Sequence, residues 1–121
     1  MKNQISYSTL GNTFIHRMRN EINNSEDAVD LENCFSLTST DFLREVFGEI
    51  EIEINSDDIV FDSQKKDYYT ISKTLSGQEK FKEIWQNSDL PSVIKKFAES
   101  TYHHYLHLQK HPEKTQKKIR N

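Results

Sequence analysis

The sequence predicts a helix-rich α+β fold, in which a three-stranded antiparallel β-meander is flanked by N-terminal and C-terminal helices. Three Gly and two Pro among 121 residues leave few forced turns, which favours long helices over a many-stranded barrel or sandwich. Apolar side chains recur at helical spacing near both ends of the chain. Between them, residues 49–54 alternate strictly between Glu and Ile, which is the period of a β-strand.

The N-terminal part predicts one clear helix and two shorter ones. Four apolar side chains spaced four residues apart indicate a helix over residues 8–23: Leu10, Phe14, Met18 and Ile22. Ser25 is expected to cap a short helical turn around Leu31. A separate helix is expected over residues 41–47, with Ser39 or Thr40 as its cap and Gly48 as a left-handed stop.

The meander is predicted from three β-like runs separated by turn residues. Strands are expected over residues 49–54, 59–61 and 68–75, with turns over 55–58 and 64–67. In the first strand, Ile50, Ile52 and Ile54 share one sheet face, and the glutamates between them share the other. The helices are expected to cover the isoleucine face.

Two helices are predicted to close the fold. Ser76 and Glu79 have the spacing of a capping box, which opens a helix that ends near Asn87. Asp89 is expected to cap the last and longest helix, which carries Pro91 in its first turn and ends before Pro112. Residues 1–111 are therefore predicted to form a single α+β domain, and residues 112–121 a basic flexible tail.

Cysteine content and hydropathy predict a cytoplasmic address. A single cysteine cannot form an internal disulfide, whereas secreted domains of this size often carry several. The N-terminus has no apolar signal-like run, and no stretch approaches the roughly 20 apolar residues that span a bilayer. No interaction with a membrane is expected.

No catalytic residue, resident metal or cofactor is predicted. His107 and His111 have the spacing at which two imidazoles share a helix face, with His104 nearby, but the residues between them include no glutamate base. Cys34 has no sequence signature of a catalytic nucleophile and is expected to pack in or near the core. Phosphate-binding glycine loops and the nucleophile-elbow motif are also absent from the sequence.

Charge is distributed unevenly along the chain. Residues 95–121 contain seven basic and two acidic residues, whereas residues 26–62 contain twelve acidic residues and one basic residue, Arg44. Such an acidic body is expected to repel nucleic-acid phosphates and to speed association with a cationic protein. An acidic face is also common on cytosolic proteins without any such role.

The charge pattern favours a non-enzymatic inhibitor that binds a basic protein. A nuclease is the natural candidate for that basic partner, because its active cleft must be cationic to hold phosphates. Small bacterial immunity proteins and antitoxins act in this way as a class, and they share size and acidity rather than motifs. The expected contact residues are Glu49, Glu51, Glu53, Asp57, Asp58 and Asp62, with Tyr68 and Tyr69 as aromatic anchors.

Two other functions are compatible with the sequence. A nucleic-acid-binding regulatory module would use basic residues of the last helix and tail: Lys95, Lys96, Lys110, Lys114, Lys117, Lys118 and Arg120. A small metal-binding protein would be centred on His104, His107 and His111. The acidic body disfavours the first function, and the missing third-ligand signature disfavours the second.

Overall fold

The computed structural model describes residues 6–110. The elements are α1 (Ser8–Ile22), α2 (Ala28–Phe47), β1 (Ile59–Phe61), β2 (Tyr69–Ile71), α3 (Lys73–Ser76), α4 (Glu79–Gln86) and α5 (Leu90–Lys110). The helix-rich α+β class is confirmed. The predicted basic tail, residues 112–121, lies outside the described residues.

Helices α1, α2 and α5 pack on one another around the main core. The Phe42 ring lies edge-on to Phe14 and to Phe97, with centroids 5.5 and 5.2 Å apart, so one side chain of α2 joins both other helices. The Thr101 hydroxyl donates to the Met18 sulfur at 3.9 Å, beneath this aromatic cluster. Helix α1 runs antiparallel to α2 and parallel to α5.

Helix α2 is continuous over 20 residues, so the predicted break into two short helices is wrong. Its cap is Asp27, whose carboxylate accepts from the Asp30 amide at 3.0 Å, and not Ser25. Ser39 and Thr40, the expected caps, lie buried inside the helix, where the Thr40 hydroxyl donates to the Ser36 carbonyl at 2.9 Å. The predicted stop is confirmed, because Gly48 follows the helix with φ of 53°.

The sheet has two strands within residues 6–110, so the three-stranded meander is corrected to a hairpin. β1 and β2 are antiparallel, with Ile59 opposite Ile71 and Phe61 opposite Tyr69. Residues 49–54 pair with neither strand, and side chains bond to part of their backbone instead. The Gln78 amide accepts from the Glu53 N–H at 3.0 Å and donates to the Glu53 carbonyl at 2.9 Å.

Helical structure replaces the end of the predicted third strand. β2 stops at Ile71 because the Ser72 hydroxyl accepts from the Leu75 amide at 3.1 Å and so caps the short helix α3. The predicted capping box at Ser76 is absent, and α4 follows Gln78, whose side chain makes no cap bond. The end of α4 at Gln86 lies next to the predicted boundary.

Asp89 lies at the start of α5 as predicted, but its carboxylate accepts hydrogen bonds from residues at the start of α1. It accepts from the Tyr7 amide at 2.7 Å and from the Ser6 and Ser8 hydroxyls at 2.9 and 3.3 Å. A negative charge beside the first residues of α1 is favourable, because the N-terminus of a helix carries partial positive charge. This contact fixes the beginnings of α1 and α5 at the same end of the molecule.

Candidate protein-binding site

Four acidic side chains between α2 and β1 are exposed to solvent: Glu49, Glu51, Glu53 and Asp57. None of them forms an ion pair with any residue in the range 6–110. Exposed carboxylates without an ion-pair partner concentrate negative potential along this segment, and that potential attracts a positively charged surface. We call residues 49–57 the acidic segment.

A groove with both polar and apolar lining lies beside the acidic segment. It measures about 310 Å³ and is lined by Phe47, Gly48, Ile50, Ile52, Ile54 and Arg44. The side chains of this segment still alternate in exposure, because Ile52 and Ile54 are half-buried whereas the glutamates beside them are exposed. Ile50, at 38% exposure, remains accessible on the groove. The segment thus offers apolar contact along one side and carboxylates along the other.

Arg44 lines this groove and forms no ion pair with the glutamates. Its guanidinium donates to the Ile54 carbonyl at 2.8 Å and to the Asp41 carboxylate at 3.5 Å. Asp41 also binds Arg17 at 2.8 Å. The single basic residue of the acidic region is therefore used within the fold, where it holds the segment against α2.

Two of the predicted contact residues are used inside the hairpin. Asp58 is only 6% exposed, and its carboxylate accepts from the Asn55 amide and the Ser72 hydroxyl, each at 2.8 Å. The Asp62 carboxylate accepts from the Gln64 amide at 2.9 Å and so shapes the hairpin turn. Asp58 is consequently unavailable to a partner, and Asp62 is half-buried at the turn.

The two predicted aromatic anchors differ in their surroundings. Tyr68 is half-buried and lies flat on Tyr102, with ring centroids 4.0 Å apart and an interplanar angle of 7°. Its φ of 70° is unusual for a residue with a Cβ and marks a tight hairpin. Tyr69 packs 6.4 Å from the buried Phe35, and burial, followed by the charge of Asp67, raises the pKa of its hydroxyl to about 12. Both tyrosines are half-buried, and Tyr69 is the one that packs against the buried Phe35.

The acidic residues do not form one continuous patch. Exposed carboxylates at the start of α2, such as Asp30, and those after its end, such as Glu49, lie at opposite ends of a 20-residue helix. A rise of 1.5 Å per residue separates these ends by about 30 Å. The acidic segment and the α2 N-terminus are therefore two separate negative surfaces.

Histidines near the end of α5 form a pair in the described structure. The His104 and His107 rings lie 5.8 Å apart, and partial burial, followed by the neighbouring His107, lowers the pKa of His104. His111, the third predicted ligand, lies outside the described residues. No group of three or more metal-ligating side chains occurs in the part of the chain that is described.

Cys34 is buried between α1 and α2. Its sulfur lies 3.7 Å from the Met18 carbonyl and 3.6 Å from the Glu21 carboxylate. Burial, followed by the negative charge of Glu21, raises the pKa of the thiol to about 12. The thiol is thus protonated at neutral pH, which is unfavourable for a nucleophile.

Sequence reasoning missed a second polar surface, a groove between α1 and α5. Its lining comes from both helices: Asn12, Ile15, His16, Arg19, Lys96, Glu99, Ser100 and His103. The available signal was a polar ladder at positions i, i+4 and i+7 of each helix, which gains meaning only once the two helices are known to be parallel neighbours. Lys95, on another side of α5, instead pairs with Asp67 at 3.6 Å.

Comparisons with protein-family models, curated protein sequences and solved structures find no match for this chain. Among the helices described, none combines the length and apolar character needed to cross a bilayer.

Proposed function

We propose that this protein is a non-enzymatic inhibitor that binds a basic partner protein, a toxin nuclease domain, in the manner of an immunity protein. The observation that carries the proposal is the acidic segment with its adjoining groove. Four exposed carboxylates, unpaired within residues 6–110, lie beside isoleucines that remain partly accessible. A cationic surface with an apolar anchor matches both features.

The carboxylates and the groove have different roles in this proposal. Glu49, Glu51, Glu53 and Asp57 steer the partner during encounter, because long-range attraction between opposite charges raises association rates. Ile50 and the groove then provide the apolar contact that slows dissociation, since most affinity in interfaces comes from a few buried anchors. Tyr68 is a further candidate anchor at the hairpin.

Hydrogen bonds between side chains and the backbone of the acidic segment also favour binding at this segment. Gln78 and Arg44 hold the backbone of residues 53 and 54 in place through side-chain hydrogen bonds, so this end of the segment is positioned by the fold. Positioning in advance reduces the entropy that association would otherwise cost.

A charge-neutralising variant tests the proposal directly. The triple substitution Glu49→Gln, Glu51→Gln and Glu53→Gln keeps side-chain size but removes three charges from the acidic segment. The matched control removes three exposed charges elsewhere: Glu32→Gln, Glu79→Gln and Glu83→Gln. Both variants are mixed with a panel of basic nuclease domains, and association is measured by biolayer interferometry alongside nuclease activity.

The two variants are expected to separate clearly. At about 0.05 M salt the segment variant should associate about tenfold more slowly than the unmodified protein, and the control within about twofold. Raising the salt to about 0.3 M should shrink this difference, because screening weakens steering. Absence of binding to every nuclease, or equal losses in both variants, would contradict the proposal.

A further inference from the structure

A second concave polar surface lies in the groove between α1 and α5. Arg19 and Lys96 face this groove from opposite helices, and neither forms an ion pair with any residue of the described range 6–110. Asn12 and His16 extend the α1 side, while Ser100 and His103 extend the α5 side. Six side chains able to donate hydrogen bonds therefore line one concave surface.

The helices bring these donors together because of how closely they pack. Gly11 lies against Val93 so tightly that an added Cβ would lie 2.4 Å from a Val93 methyl group. One turn further along, Ile15 is buried at the base of the groove. The Arg19 guanidinium reaches across to the Ser100 hydroxyl at 3.4 Å. The groove is thus a feature of helix packing and does not depend on a loop.

The chemistry of the lining indicates an acceptor-rich anion. Guanidinium and ammonium groups only donate, and Glu99 is the single acidic side chain among the lining residues. A carboxylate ligand has two oxygens, whereas a phosphate group presents three or four to donors on both helices. The groove measures about 570 Å³, many times the roughly 30 Å³ of one water, so it has room for an organic group beyond the phosphate.

We propose that the α1/α5 groove binds a small phosphate-bearing molecule, with Arg19 and Lys96 as the charged contacts. A small ligand is favoured over a nucleic acid because the groove presents two cations beside one carboxylate, whereas nucleic-acid binding draws on many cations that neutralise successive phosphates. This site is separate from the acidic segment and does not depend on the proposed inhibitory function. The two functions therefore fail or succeed independently.

Binding is tested by isothermal titration calorimetry on the full chain in phosphate-free buffer, with inorganic phosphate, glycerol 3-phosphate and acetate as probes. The test variant carries Arg19→Gln and Lys96→Gln, and the control carries Lys80→Gln and Lys82→Gln, two exposed cations on α4. A third variant, Glu99→Gln, removes the opposing charge. Circular dichroism verifies that all variants retain the helical fold.

The Arg19/Lys96 variant and Glu99→Gln are expected to change the affinity for glycerol 3-phosphate in opposite directions. Glycerol 3-phosphate should bind about tenfold more weakly to the Arg19/Lys96 variant, within about twofold to the control, and about threefold more tightly to Glu99→Gln. No heat with either phosphate probe would overturn the proposal, as would acetate binding equal to phosphate binding. Equal losses in the test and control variants would also overturn it.

A nucleic-acid arm distinguishes the remaining alternative. A short single-stranded RNA is titrated into the same variants at two salt concentrations. Weak RNA binding that is indifferent to Arg19 and Lys96 supports the small-molecule assignment. RNA binding that is tighter than glycerol 3-phosphate, steeply dependent on salt, and lost in the Arg19/Lys96 variant would overturn it in favour of a nucleic-acid surface.

Discussion

Asp58 is an acidic residue whose carboxylate is fully used inside the fold. It links the Asn55 amide to the Ser72 hydroxyl, while its own carbonyl accepts from the Ser72 amide at 2.7 Å. These bonds connect the start of β1 with the residue that caps α3. A charged acceptor that joins two donors contributes far more to stability than an exposed carboxylate.

Replacing Asp58 by Ala is expected to lower the free energy of unfolding by about 3 kcal/mol, because the Asn55 amide and Ser72 hydroxyl lose a charged acceptor. Urea denaturation followed by circular dichroism measures this change. Asp57→Ala is the matched control, since Asp57 is exposed and its loss should cost less than about 0.5 kcal/mol. Equal effects at the two positions would contradict the assignment of Asp58 to the interior.

Because the pKa values of Cys34 and Tyr69 are raised, we expect the protein to lose stability at high pH. Burial raises both pKa values to about 12, from 9.0 for the thiol and 10.0 for the phenol, so the unfolded chain loses these protons first. Their stabilising effect is fully present below pH 9 and declines as pH rises from 9 towards 12, by at most about 1.4 kcal/mol per pH unit for each group.

Urea denaturation at pH 8, 10 and 11 tests the titration of these two groups. The double variant Cys34→Ala and Tyr69→Phe should show a flatter decline than the unmodified protein, although it starts from a lower stability. Tyr105→Phe is a control for general alkaline effects, because it removes a phenol hydroxyl but keeps the ring that lies 5.9 Å from Phe61. A decline of the same slope in all three proteins would contradict a role for Cys34 and Tyr69.

At the scale of an element, Gly11 sets how closely α1 approaches α5. Ala favours helix over Gly by about 1 kcal/mol, yet its Cβ would clash with Val93 here. Gly11→Ala is therefore expected to destabilise the protein by about 2 kcal/mol despite its helix propensity. The added substitution Val93→Ala should recover part of this loss, and the double-variant cycle in urea measures the coupling. Additive losses would contradict a steric cause.

The side chain of Gln78 is expected to stabilise the acidic segment locally. Gln78→Ala removes both bonds to Glu53, so hydrogen exchange at residues 52–54 is expected to accelerate by about tenfold, with smaller changes in the helices. Hydrogen–deuterium exchange with mass spectrometry resolves this region. Gln86→Ala, at the exposed end of α4, is the control and should leave the exchange rate of the segment unchanged.

The elements that sequence could predict are those whose signals are local. The four-residue spacing of Leu10 to Ile22 defined α1, and residues 59–61 matched β1. The prediction failed for α2 because Ser39 and Thr40 resemble caps, and their burial against other helices is a tertiary effect. Residues 49–54 have the alternating pattern of a strand, but a strand also needs a partner strand. The Gln78 side chain bonds to this segment instead.

Prediction of the candidate site had similar limits. The exposed glutamates follow directly from composition, whereas the internal role of Asp58 depends on Ser72, 14 residues away. Donors of the α1/α5 groove lie more than 70 residues apart in sequence, so no local pattern unites Arg19 with Lys96. Charged and hydrogen-bonding residues could be recognised individually from the sequence. Only tertiary packing determines which of them come into contact.

For the whole molecule, the uneven charge predicts a salt-dependent stability. Twelve acidic residues within residues 26–62 repel one another, and raising salt screens this repulsion. The free energy of unfolding is expected to rise by about 1 kcal/mol between about 0.02 M and 0.5 M sodium chloride. Glu49→Gln, Glu51→Gln and Glu53→Gln together should reduce this salt response. A response unchanged in the variant would locate the repulsion elsewhere.

The Asp89 contact with residues 6–8 has a consequence for biosynthesis. Helices α1 and α5 are direct neighbours, since Tyr7 contacts Asp89 and Arg19 contacts Ser100 across 82 and 81 positions of sequence. Helix α1 therefore has no permanent cover on that side until α5 has left the ribosome. Folding of this part of the core therefore has to wait for α5, and a nascent chain stalled before residue 90 would expose Ile15 and Met18 to chaperones.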